Sequence, residues 1–195
     1  MRVFDTGSKR EIRTFSLPSG SLTALSMASD GNRVAAASSD KSIRVWGVSD
    51  GALVTEIKAP SDVAAIALFG ADEQVAAAGS DKVIRTWKIS VPAKDQKVVK
   101  ELKGHTGAVS SLAGGDANTL VSGSADKTVR TWDAVTGKPL KTMAHGVPVA
   151  SVNLSGDAGL IASLGVKQVG AKLWTAADGK LVKEIKGDFE LDAKT

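Results

Sequence analysis

The sequence predicts an all-β protein built from successive copies of one small four-stranded antiparallel sheet. Three observations carry that prediction. The chain of 195 residues has no tyrosine but four tryptophans, Trp46, Trp87, Trp132 and Trp174, spaced 41, 45 and 42 residues apart, and Phe4 stands 42 before the first. A period on this scale marks a repeat architecture. A basic residue sits two positions before every one of these aromatics: Arg2, Arg44, Arg85, Arg130 and Lys172. That spacing puts both side chains on one face of an extended strand. Turn pairs such as Asp30-Gly31, Asp50-Gly51, Thr136-Gly137 and Asp178-Gly179 separate short apolar runs, as hairpins require.

Each unit supplies its strands in the same order. The first is an apolar stretch, at 22–27, 63–68, 109–113 and 149–154. The second is short and rich in small residues: Val34-Ala35-Ala36-Ala37, Val75-Ala76-Ala77-Ala78, Leu120-Val121-Ser122-Gly123 and Leu160-Ile161-Ala162-Ser163. The third closes on the aromatic. The fourth carries Phe15, Ile57, Met143 or Ile185 eleven residues later, with Leu102 at fifteen because of an insertion around Val91–Lys94. Runs of five to seven residues with no helical period read as strands. One such meander leaves a face unburied, so the copies must stack.

Composition narrows the function. At 43% hydrophobic, 24% charged and a mean hydropathy of +0.01 the chain has a globular balance,. No apolar run approaches the ~20 residues that a helix needs to cross a bilayer. The absence of cysteine excludes disulfides, thiolate metal sites and a cysteine nucleophile, and two histidines cannot make a three-histidine centre,. No cofactor or metal site is expected. The net charge of +4 is spread rather than blocked.

The residues resemble those of the WD-repeat β-propellers. The best match runs Gly104-His105, Val109–Leu112, Leu120-Val121-Ser122-Gly123-Ser124, Asp126-Lys127 and Thr128–Trp132-Asp133. Asp40 and Asp81 also stand six before their tryptophans, each followed by lysine. Only Trp132 precedes an aspartate, and only His105 and His145 take the histidine position. The resemblance implies a β-propeller arc of four-stranded antiparallel blades in a single repeat domain, 1–195. Its parts are a half blade of two outer strands at 2–17, blades at 21–58, 62–103, 107–144 and 147–187, and a tail at 188–195. The alanine-rich strands suggest a bacterial protein. With only half of the first blade present, the chain is expected to belong to a longer propeller, to assemble with a second copy, or to close as four blades.

The resemblance also implies a hydrogen-bonded structural tetrad of His105, Ser122, Asp126 and Trp132, with Ser124 the fallback hydroxyl. His145 lacks the aspartate and should matter less, while Asp40 and Asp81 should serve their turns alone. Histidine, serine and aspartate also spell a hydrolase triad, but the serine lies within a strand. Gly47-Val48-Ser49-Asp50-Gly51 fits a nucleophile elbow, yet it joins two strands rather than a strand and a helix. The basic residues before the aromatics would form a ring from blade to blade, read either as a phosphate track or as long stems covering inter-blade surface. Without interleaved aromatics the nucleic-acid reading is the weaker one. The expected function is a non-enzymatic scaffold that binds a protein or peptide through loops at Ser39, Lys41, Ser80, Lys82, Ala125 and Lys127. The alternatives are a propeller segment of a larger bacterial enzyme or sensor, or a weak binder of anionic polymers. No membrane insertion is expected, and no secretory signal is read ahead of Phe4. Neither observation assigns a compartment.

Overall fold

Short runs rich in Val, Ile, Ala and Thr form the strands, several of them buried on both faces, as at Arg33–Ser38 and Ala65–Phe69,, and glycine or Asp-Gly turns end them. The computed structural model describes residues 1–70, 73–115, 119–167 and 170–186. The tail at 188–195 and the end of the last unit at Gly187 lie outside them. A two-stranded sheet comes first, with β1 (Arg2–Phe4) and β2 (Glu11–Thr14). Four four-stranded sheets follow. They are β3 (Leu22–Met27), β4 (Arg33–Ser38), β5 (Ser42–Gly47) and β6 (Leu53–Lys58); then β7 (Ala65–Phe69), β8 (Gln74–Ala78), β9 (Ile84–Lys88) and β10 (Lys100–Leu102). The third holds β11 (Val109–Gly114), β12 (Thr119–Ser124), β13 (Thr128–Asp133) and β14 (Lys138–Ala144), and the fourth β15 (Val149–Leu154), β16 (Leu160–Gly165), β17 (Gly170–Thr175) and β18 (Leu181–Lys186). Each is an antiparallel meander in chain order. Among the described residues helix is confined to one 3-10 turn, Ala93–Asp95, inside the insertion ahead of β10.

The registers superimpose from sheet to sheet. Ala36 faces Arg44, Ala77 faces Arg85, Ser122 faces Arg130 and Ser163 faces Lys172. The pairing of third with fourth strand slips just before the aromatic in four sheets, at Val3/Phe4, Val45/Trp46, Thr131/Trp132 and Leu173/Trp174. The second sheet keeps its register because its fourth strand arrives after the insertion and pairs only over Lys100–Leu102.

The core lies between sheets rather than within one. Trp87 packs with Ile57 and Val45 of the preceding sheet, Trp132 with Leu102 and Phe69, and Trp174 with Met143 and Val129. Trp46 packs in the same way against Val3 and Phe15. Each tryptophan therefore faces the sheet before it, and each residue of the Phe15, Ile57, Leu102, Met143 series faces the sheet after it. An indole of this kind removes on the order of 200 Å² from water, roughly 5 kcal/mol gross. Small residues let the inner strands approach: a Cβ on Gly114 would stand 2.5 Å from that of Phe69. The rule also accounts for two departures from the expected burial. Phe4 is 54% exposed although the four tryptophans are 7% or less, and Ile185 is 43% exposed although Phe15, Ile57, Leu102 and Met143 are 5% or less. Among the described residues no sheet precedes the one holding Phe4, and none follows the one holding Ile185.

Candidate functional site

The third four-stranded sheet holds the densest polar constellation. Gly104, at φ +155, delivers His105 to the start of β11, where a Cβ would press on Arg130 and Trp132,. The β12–β13 turn places Asp126 beside it. Asp126 Oδ1 accepts the Thr128 N–H at 2.9 Å and its hydroxyl at 2.6 Å. Oδ2 accepts the Thr106 N–H at 3.0 Å and faces His105 Nδ1 at 2.7 Å. His105 Nε2 lies 2.7 Å from Ser122 Oγ, which accepts the Trp132 indole N–H at 2.8 Å. One proton order satisfies every atom: Trp132 N–H to Ser122 Oγ, Ser122 O–H to Nε2, and Nδ1–H to Asp126.

Electrostatics agree with that order. Burial pushes the His105 imidazole below its ordinary value against the pull of Asp126, so the ring is neutral. Burial alone would raise Asp126, but hydrogen bonds from Thr128 and His105 outweigh it and hold the carboxyl down to about 2,. The distances are those of a hydrolase triad. Access is not: Ser122 is 0% exposed and the side chains of His105 and Asp126 are 0% and 4% exposed. Ser124, the fallback hydroxyl, instead donates to the Gly107 carbonyl at 3.0 Å. Ser49, of the elbow-like pattern, sits in the turn between β5 and β6, where Gly47 N–H meets the Ala52 carbonyl.

The other sheets carry variants. In the fourth, Trp174 donates to Ser163 Oγ at 2.7 Å. His145 is 1% exposed, and neither ring nitrogen has a hydrogen-bond partner among the described residues. In the first and second sheets alanine stands where Ser122 stands, at Ala36 and Ala77. There the turn aspartates do not act alone. Asp40 accepts from Ser19 at 2.5 Å and from Ser42, and lies 3.7 Å from Arg44. Asp81 meets Arg85 at 2.5 Å, the Val83 N–H at 3.3 Å and the Ser61 hydroxyl. Ser19 precedes Asp40 by 21 residues, the separation of His105 from Asp126. That spacing was the overlooked signal: a serine occupies the histidine's seat.

The basic residues before the aromatics do not make an open track. Arg44 is 5% exposed and paired to Glu56 at 3.0 Å, Arg85 joins Glu101 at 3.1 Å as well as Asp81, and Arg2 reaches Glu11 at 3.7 Å. Arg130 lies over Trp132 and Lys172 over Trp174, each 6.0 Å from the ring, and Lys172 donates to the His145 carbonyl. Facing acids on the fourth strands and tryptophan faces consume the charge. Ser39, Lys41, Ser80, Lys82, Ala125 and Lys127 are all exposed, in the turns joining second and third strands. Among the described residues no three His, Asp or Glu side chains converge as metal ligands would, and no helix is long and apolar enough to cross a membrane.

Comparison with known proteins bears on the repeat. The model of the WD domain, G-beta repeat, matches residues 9–47 and 96–133. Over 173 residues the chain is 30% identical to the U3 small nucleolar RNA-associated protein 21 homolog of Schizosaccharomyces pombe, covering 87% of this chain and 19% of that protein. It is 29% identical over 148 residues to Mitochondrial division protein 1 of the same yeast, covering 68% and 23%. It is 32% identical over 151 residues to Nuclear distribution protein PAC1 of Arthroderma benhamiae, covering 72% and 32%. The chain thus spans between about a fifth and a third of the length of these relatives. All three are fungal, so they lend no support to the bacterial origin suggested by the alanine-rich strands. The repeat matches, the relatives and the four-stranded antiparallel blades together support the WD-repeat family for this chain.

Proposed function

We propose that the chain is a non-enzymatic scaffold segment that binds a protein or peptide through the loops of one face. The observation that carries this reading is the burial of Ser122, His105 and Asp126, the serine–histidine–aspartate set that stands at catalytic distances among the described residues. A nucleophile with no exposed surface, whose oxygen already accepts an indole N–H, is a brace. In that role His105, Ser122, Asp126 and Trp132 tie the second strand, the third strand, their turn and the loop entering the first strand into one rigid unit. Ser19, Asp40 and Arg44, and likewise Ser61, Asp81 and Arg85, act equivalently in their own blades. Rigid blades keep the loops at Ser39, Ser80 and Ala125 in fixed relative positions, which lowers the ordering cost of binding a partner.

The test is proximity labelling in the cell that makes the protein, comparing the native chain with the triple variant Ser39→Arg, Ser80→Arg, Ala125→Arg. The expected result is a set of protein neighbours lost in the variant while its melting curve is unchanged. Neighbours indifferent to the loops would overturn the reading, as would a substrate turnover abolished by Ser122→Ala in a chain that stays folded.

A further inference from the structure

Turns on the loop-bearing face share an unusual backbone choice. Lys41, Lys82, Lys127 and Lys167 have φ of +65°, +68°, +69° and +58°. Each lies in the turn from the second to the third strand of its sheet. Left-handed backbone disfavours a side chain with a Cβ, and glycine is its natural occupant. Elsewhere in the described turns glycine is the commoner occupant. The turns from third to fourth strand use Gly51, Gly137 and Gly179, with Lys9 in the half blade, and those from first to second use Gly31 and Gly70, with Ala158 in the last blade. Only in the turns from second to third strand is the strained position filled by lysine in all four complete blades.

These turns lie on one face. The β4–β5 turn reaches the next blade's entry loop through Lys41 and Asp62 at 3.6 Å. The β8–β9 turn does so through the Gly79 carbonyl, which accepts the Val109 N–H at 3.1 Å. The end of β12 packs on the start of β15, where Ser110 Oγ bridges the Gly123 and Val149 carbonyls. All four lysines are exposed. The aspartates beside three of them point inward and spend their oxygens on backbone N–H, hydroxyl, arginine and imidazole partners. The turn carboxylates are thus drawn into the blades, while Lys82, Lys127 and Lys167 stand out from them and Lys41 reaches the exposed Asp62.

We infer that this lysine arc is the docking surface for an acidic, extended peptide running across the blades. The inference rests on the scaffold reading and gives the partner its chemistry. Strain repeated at four equivalent positions, where glycine would relieve it, marks a side chain kept for what it contacts. Four exposed ammonium groups spaced one per blade match a flexible chain of carboxylates, and the solvent-exposed Lys41–Asp62 pair is weak enough to exchange partners,. A single-stranded nucleic acid is the poorer fit, because it needs exposed rings for its bases. Among the described residues Phe4 is the exposed aromatic, and it ends its strand on the opposite face.

The experiment is fluorescence anisotropy with a labelled oligoglutamate long enough to cross four blades, using the whole chain. The comparison is the quadruple variant Lys41→Gly, Lys82→Gly, Lys127→Gly, Lys167→Gly, with Lys9→Gly as the opposite-face control. The native chain binds, and binding weakens as salt rises. The quadruple variant loses about tenfold or more in affinity, yet melts no lower than the native chain because glycine accepts the turn. The control binds as the native chain does. Unchanged affinity in the quadruple variant, equal loss in the control, or no binding of oligoglutamate at low salt would each overturn the inference. Tighter binding of an oligouridylate of matched length would overturn the peptide class. If these fail while neighbours in the labelling experiment still depend on the loops, only the acidic chemistry is wrong; failure of both removes the scaffold reading.

Discussion

Replacing Ser122 with alanine deletes one oxygen and strands two partners. Trp132 Nε1, at 2.8 Å from that oxygen, and His105 Nε2, at 2.7 Å, lie where water does not reach, since Trp132 and Ser122 are both 0% exposed. A buried polar group left unsatisfied costs roughly 1–3 kcal/mol, so the two together give a loss of about 3 kcal/mol. Packing adds little, because Ala36 and Ala77 occupy the same register position in neighbouring sheets. Ser163→Ala is the calibrating variant. It strands one buried donor, the Trp174 indole at 2.7 Å, loses only a long bond to the Lys172 carbonyl at 3.4 Å besides, and should cost about 1.5 kcal/mol. Urea unfolding of both variants, followed by tryptophan fluorescence and by circular dichroism, gives the comparison. A loss at Ser122 below about 0.5 kcal/mol, or one smaller than at Ser163, would refute the reasoning.

Other consequences follow from the same geometry. Asp126 is held at about 2 against an ordinary 3.8, so its contribution is complete above about pH 4 and is lost as pH falls toward 2, worth roughly 2 kcal/mol. His105 is pushed below its ordinary 6.5, so its burial destabilises progressively as pH drops below that value; both effects have the same sign. Acid titration of stability should show these two losses, and Asp126→Asn should flatten the lower one. Gly79→Ala drives a Cβ into the Asp62 carbonyl within the second blade and should cost about 1–3 kcal/mol by chemical denaturation. Leu25 and Met27 at one end and Leu181, Val182 and Ile185 at the other are 43–55% exposed. Sedimentation should therefore show self-association that Leu25→Glu with Met27→Glu weakens, and a monomer at every concentration would count against it.

Much of this was legible in the sequence because the repeat is written in tryptophans, a residue this chain uses nowhere else. Tryptophan spacing located the third strands, and the basic residue two before each tryptophan located their faces. The mates of His105 could be named because Ser122, Asp126 and Trp132 stand where the resemblance to WD repeats puts the hydroxyl, the aspartate and the tryptophan. The variants in the first two blades were harder to see. Ser19 and Ser61 are common residue types in loops, so their spacing from the turn aspartates is a faint mark until the fold shows that they replace an imidazole. The expected basic ring failed for a related reason: Glu56 and Glu101 lie on a different strand, so their pairing with Arg44 and Arg85 depends on register. The lysines at positive φ carry no sequence mark at all, since nothing in Asp-Lys announces a left-handed residue.

Hydrogen exchange at the Trp132 indole N–H, followed by nitrogen-edited NMR of the intact chain, bears directly on whether Ser122, His105 and Asp126 form a closed brace. The indole proton should exchange as slowly as the backbone amides of β13, and Ser122→Ala should speed it markedly. Exchange in the native chain at the rate of a solvent-exposed indole would show an open site, and the brace would have to be abandoned.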